Sequence, residues 1–111
     1  MGTLVVLSSN LMGDGDKRLG HTLMKKYISA LSELQQLPDA ILMYNSGVYL
    51  SVEGSAAVED LRALEARGVE IFSCDTCLRH YKVNNQLAVG SVTDMQSIAE
   101  MMATADKIVK P

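Results

Sequence analysis

The chain has 111 residues, of which 48 % are hydrophobic, with 13 acidic against 10 basic side chains and a formal net charge of −3. That is enough sequence for one domain, residues 1–111, with a core of its own. No apolar run approaches the ~18 residues of a membrane span, and the scattered basic residues argue against a nucleic-acid partner. The amino terminus lacks a basic segment followed by a long apolar one, so no signal peptide is expected and a cytoplasmic location follows.

In chain order, strands alternate with helices. Residues 4–7, Leu-Val-Val-Leu, read as a buried strand, and a loop with Gly13 and Gly15 follows. Asp14 or Asp16 is placed to cap a helix over residues 17–37. Its apolar positions, Leu19, Leu23, Met24, Tyr27, Ile28, Leu31, Leu34 and Leu37, recur at three and four, and Pro38 stops it. Residues 40–44 form a second strand, and Asn45-Ser46-Gly47 is the turn at its end. Residues 48–53 alternate like an extended piece but fit a loop equally well. Ser55 is an N-cap for a helix over 56–67, with Gly68 as its C-cap. Residues 69–73 form the third strand, 87–89 a short fourth, and 107–109 a fifth. Between the last two, Thr93 or Asp94 opens a helix with Met95, Ile98, Ala99, Met102 and Ala105 inward. Such alternation is the signature of a parallel sheet covered on both faces, with right-handed crossovers.

Both cysteines, Cys74 and Cys77, lie where the third strand ends and a short helix begins. Cys-x-x-Cys spacing in an intracellular chain points to redox, sulfur or metal chemistry. The unpaired amides of a helix's first turn stabilise a thiolate, which lowers the pKa of a cysteine placed there. Arg79 and His80 would add to this on folding back, and Asp75 opposes it. In an open parallel sheet ligands bind outside the carboxyl ends of the strands. Three loops leave such ends, at residues 8–16, 45–53 and 73–78. They offer Asn10, Asn45, Ser46, Gly47, Glu53, Asp75 and Thr76 as candidate binding residues, with the cysteine pair central if the third strand is central.

The chain resembles the DsrE/DsrF-like family, most closely the carboxyl-terminal domain of YedF-type selenium-metabolism proteins. The resemblance rests on residues 5–13 with Gly20, Tyr44-Asn45-Ser46-Gly47-Val48, Glu53-Gly54-Ser55, Gly68-Val69-Glu70-Ile71, Cys74-Asp75-Thr76-Cys77-Leu78 and residues 105–111. It implies a three-layer α/β/α sandwich on a five-stranded, mainly parallel sheet. It also implies a homo-oligomer, trimer or hexamer, and a sulfur carrier, with selenium as an alternative cargo. Sulfur would travel as a cysteine persulfide between donor and acceptor proteins of TusA-like or cysteine desulfurase type. The family's acceptor aligns with Cys74, and Cys77 is the extra cysteine of a Cys-x-x-Cys subset, placed to resolve the persulfide as a disulfide. No cofactor is implied. YedF-type proteins carry an amino-terminal TusA-like domain, which these residues do not include, so the chain is a stand-alone relative or part of a longer protein. Lys82 stands where relatives have a helix-ending glycine.

Other readings compete. Inert buried thiols are one. A zinc site would have to draw on Cys74, Cys77, His80 and His21, and no metal is expected. A thioredoxin-like fold puts its cysteines after an early strand, with a proline opposite that neither Pro38 nor Pro111 supplies. Gly13, Asp14 and Gly15 suit a turn better than a phosphate loop. Met95, Met101 and Met102 suit core or subunit contacts, His21 a surface or interface position, and Tyr44, Tyr49 and Tyr81 packing beside the cleft. The functional alternative to a sulfur carrier is a non-catalytic oligomeric module that binds a small ligand or a partner.

Overall fold

The computed structural model describes residues 2–111. Five strands, β1 (Thr3–Leu7), β2 (Ala40–Met43), β3 (Glu70–Cys74), β4 (Ser91–Thr93) and β5 (Lys107–Val109), form one sheet in the order β4-β3-β2-β1-β5. Every pairing is parallel. The helices are α1 (Lys17–Leu31), α2 (Val58–Ala66), α3 (Asp75–His80) and α4 (Met95–Thr104), and a 3-10 segment spans Asn45–Ser51.

Strand register sorts the core into two layers. Leu4 and Val6 lie beside Ala40 and Leu42, while Val5 and Leu7 lie beside Ile41 and Met43. Period-2 alternation therefore sends these pairs to opposite faces. Val5, Leu7, Ile41, Met43 and Ile71 pack with Met24, Ile28 and Leu31 of α1, Leu61 and Leu64 of α2 and Leu78 of α3. Leu4, Val6, Ala40 and Leu42 pack with Cys74 and with Ile98 of α4. The result is the expected three-layer α/β/α sandwich.

Several local expectations are corrected. Helix α1 ends at Leu31 rather than at residue 37. The Ser32 hydroxyl donates to the Ser29 carbonyl at 2.6 Å, and Arg67 Nη1 donates to the Ser32 carbonyl at 2.8 Å. These bonds satisfy carbonyls that a longer helix would have used. Its buried stripe is Gly20, Met24, Ile28 and Leu31, leaving Leu19, Leu23 and Leu34 exposed. Residues 48–53 belong mostly to the 3-10 segment.

The apolar run 87–89 is not the fourth strand. Leu87 forms an antiparallel bridge with Val52, and the Ala88 N–H donates to the Ser51 carbonyl at 2.8 Å, so this run closes over the 3-10 segment. Gly90, at φ 77°, then passes so close to β3 that a Cβ would lie 2.5 Å from the Ile71 carbonyl oxygen, and β4 starts at Ser91. On α4 the covered residues are Ile98, Met101 and Met102, with Ala105 just past its end, whereas Met95 is 58 % exposed and Ala99 is also exposed. Among the described residues no helix is long and apolar enough to cross a membrane.

Candidate functional site

The carboxyl ends of β1, β2 and β3 lie on one edge, and their loops touch there. The Asn10 N–H donates to Ser46 Oγ at 3.4 Å, Ser46 Oγ lies 3.5 Å from Ser9 Oγ, and the Asn45 N–H donates to Cys77 Sγ at 3.0 Å. Gly47 brings the second loop down onto the first, since a Cβ at this position would enter the space of the Leu7 carbonyl oxygen. Beyond β3 the chain turns into α3, on the α1/α2 side. Beyond β4 it turns into α4 on the opposite side. The topological switch point thus falls between β3 and β4, where Cys74 is paired with Thr93. Strand β3 is one place from the sheet edge rather than central, so the cysteines sit at this crevice and not mid-sheet.

The two thiols occupy different environments. Cys74 is the residue before α3, is 1 % exposed and packs in the layer beneath α4. Cys77, one turn into α3, is half-buried and touches both core layers. Burial pushes the Cys77 thiol above its ordinary pKa; the Asn45 N–H pulls it down, and the neighbouring Cys74 pushes it up again. The net direction is upward, opposite to the lowering that a helix start alone suggests.

Asn45 holds its amide on the sulfur through a chain of contacts. Its φ of 51° is left-handed, a conformation that asparagine tolerates better than most residues. Asn45 Oδ1 accepts from the Ser46 N–H at 2.9 Å and from the Tyr81 hydroxyl at 2.9 Å. The Tyr81 ring packs on Tyr49 with centroids 4.7 Å apart. Sequence reasoning placed Asn45 in the cleft and left Tyr81 as packing. An asparagine in Asn-Ser-Gly just past a strand was the available signal for a left-handed turn.

The other expected residues fall out as follows. Both Asp75 carboxylate oxygens accept from Arg79 Nε at 3.1 Å, so Arg79 is turned to Asp75 and not to a thiol. His80 meets Tyr81 edge-on, with centroids 5.0 Å apart. Thr76 is exposed. Glu53 is exposed, and its N–H pairs with the Gln86 carbonyl at 2.9 Å, which assigns it to the closure over the 3-10 segment. His21 lies on α1 in a groove that Asn10 and Tyr49 also line, away from the cysteines. Among the described residues no group of three or more His, Cys, Asp or Glu side chains is arranged to hold a metal. Lys82 has φ 60°, the left-handed conformation that favours glycine at a helix end.

The DsrE/DsrF-like family profile matches residues 27–111, which includes both cysteines, Asn45, Ser46, Gly47 and Tyr81 but not β1, Ser9, Asn10 or His21. The chain belongs to the DsrE/DsrF-like family. Three solved structures share the fold. The ychN protein from E. coli has 18 % identity and a TM-score of 0.74, with all of both chains covered. A protein of unknown function from Methanobacterium thermoautotrophicum, MTH1491, has 16 % identity and a TM-score of 0.71 over 99 % of this chain and 98 % of that one. A conserved protein of unknown function from Bacteroides thetaiotaomicron, BT1422, has 15 % identity and a TM-score of 0.63 over 98 % and 94 %. No curated protein matches the chain.

Proposed function

We propose that this DsrE-like protein is a sulfur carrier that accepts a persulfide on the cysteine pair after β3, with Cys77 as the point of entry. The observation that carries the reading is the half-buried Cys77 sulfur at the switch-point crevice, with the Asn45 N–H 3.0 Å away. The Cys77 thiolate attacks the outer sulfur of a donor persulfide. A new sulfur–sulfur bond forms on Cys77, the donor's own sulfur–sulfur bond breaks, and the donor leaves as a thiolate with the electron pair. A persulfide is a stronger acid than its parent thiol, so the loaded group is an anion for the Asn45 N–H to receive. Cys74 then has a role behind Cys77. The Cys74 thiol passes its proton to the outer sulfur as its own sulfur attacks the inner one; the Cys74–Cys77 disulfide forms, the persulfide bond breaks and hydrosulfide leaves with the electron pair.

The family assignment and the Cys-x-x-Cys pair support placing the chain with the YedF-type branch, and selenium is an alternative cargo in the same chemistry. The donors and acceptors in this reading are TusA-like or cysteine desulfurase proteins in a reducing compartment. The exposed Leu19, Leu23, Val92 and Met95 support self-association as a trimer or hexamer, which light scattering checks.

Intact mass after incubation with a persulfide donor tests the proposal. One added sulfur, removed by reductant, is expected on Cys74→Ser; the unmutated protein is expected to end as the Cys74–Cys77 disulfide, two hydrogens lighter than the reduced chain, and Cys77→Ser shows neither change. No gain on a Cys74→Ser protein whose remaining thiol titrates freely refutes it. The raised pKa of Cys77 favours one second reading, a non-catalytic binding module in which ligand capture survives Cys77→Ser.

A further inference from the structure

The face of α1 that turns toward α2 carries a regular set of polar side chains. His21 and Lys25 are one turn apart, and Thr22, Lys26 and Ser29 follow the same spacing. Across from them stand Tyr49 and Leu50 of the 3-10 segment and residues 55–57 ahead of α2. Between these walls lies an open groove of about 810 Å³. Small-molecule sites span about 300–1,000 Å³. Leu50 and Ala57 are buried and give the groove an apolar floor.

Its charge is opposite to that of the whole molecule. The chain has a net charge of −3, yet two lysines and a histidine line this groove and no carboxylate does. The nearest acid shown in contact with them is Asp60, which engages Lys25 at 3.2 Å. Among the described residues neither Lys26 nor His21 has a salt-bridge partner. A cationic wall facing an aromatic and aliphatic one suits a ligand with both characters.

We infer that the groove between α1 and α2 binds a small organic anion with an aromatic or apolar body. The inference involves neither cysteine and does not rest on the sulfur reading, although the groove shares Tyr49 with the contacts around Asn45. The anionic group meets Lys26 and His21, while the body lies on Leu50 and Ala57 against the Tyr49 ring.

Two dyes with one ring system test it on the full chain: 8-anilinonaphthalene-1-sulfonate and its uncharged parent N-phenyl-1-naphthylamine. The sulfonate is expected to bind about tenfold more tightly than the parent. The double variant His21→Glu/Lys26→Glu is expected to weaken the sulfonate by about tenfold or more and to leave the parent unchanged within about twofold. Amide shifts on titration with the sulfonate should fall on residues 21–29 and 49–57. Equal affinity for the two dyes, an unchanged sulfonate affinity in the variant, or shifts centred instead on Thr3, Gln36 and Val109 would overturn the assignment. Lys26→Gln, with a smaller expected loss, replaces the double variant if charge reversal perturbs folding.

Discussion

Two buried serines tie the 3-10 segment to the strand that delivers the cysteines. Ser51 and Ser73 are 0 % and 1 % exposed, and their hydroxyls are 2.8 Å apart. Ser51 Oγ also donates to the Val48 carbonyl at 2.9 Å, which uses its single proton. The Ser73 hydroxyl is therefore the donor of the pair. The two alanine substitutions then differ in kind. Ser73→Ala deletes a donor and leaves the Ser51 proton satisfied, so about 1 kcal/mol is expected. Ser51→Ala removes both bonds and strands the buried Ser73 proton, so about 2–3 kcal/mol is expected. The double variant leaves no stranded proton from Ser73, and its cost should fall short of the sum by about 1 kcal/mol. Urea unfolding of the four proteins with a common slope measures this cycle. A Ser73→Ala cost equal to or above that of Ser51→Ala would refute the donor assignment. Additivity within about 0.3 kcal/mol would refute the coupling.

Other perturbations probe the site and its frame. Lys82→Gly relieves a left-handed lysine and should raise stability by about 0.5–1 kcal/mol, read as an increased melting temperature. Gly47→Ala drives a methyl group into the Leu7 carbonyl and should cost more than about 2 kcal/mol by urea unfolding; an unchanged midpoint contradicts the close approach. The native protein binds the Cys77 proton more tightly than the unfolded chain does. That stabilisation is complete below the ordinary thiol pKa and is lost as pH rises through the raised folded value. Alkylation of native Cys77 should accordingly reach half its maximum rate at a higher pH than a free cysteine's, and Tyr81→Phe should shift that midpoint upward as Asn45 loosens. At the start of α4 the Ser97 N–H donates to Asp94 Oδ1 at 2.8 Å, and hydrogen bonds to Ser97 hold this carboxyl below its ordinary pKa. Its contribution is present above the ordinary carboxylate value and is lost as pH falls through the folded one, so Asp94→Asn should flatten the acid limb of a stability–pH curve.

The sheet was legible because residues 4–7 and 40–43 of β1 and β2 are unbroken apolar runs and β3 carries Ile71 and Phe72, as burial on both faces requires. The edges were less so. Strands β4 and β5 each have three residues, and β4 is Ser-Val-Thr, while the more apolar Leu-Ala-Val run ahead of it pairs with Val52 instead. Hydrophobicity alone does not distinguish a strand from a segment that caps another loop. For the site, Cys-x-x-Cys at a strand end marked the location, and the parallel order explains why three loops meet there. The difference in exposure between Cys74 and Cys77 was not readable, because it depends on α4 covering one side of the crevice. The α1–α2 groove was missed because His21 and the lysines gain significance only opposite Tyr49 and Leu50, which arrive from a different loop.

Helix α3 carries both Cys77 and, just past its end, Tyr81. The sulfur and the hydroxyl that steadies the amide facing it are therefore mounted on one short rod. Any tilt of this rod moves target and guide together, so the Asn45 loop follows the thiol instead of losing it.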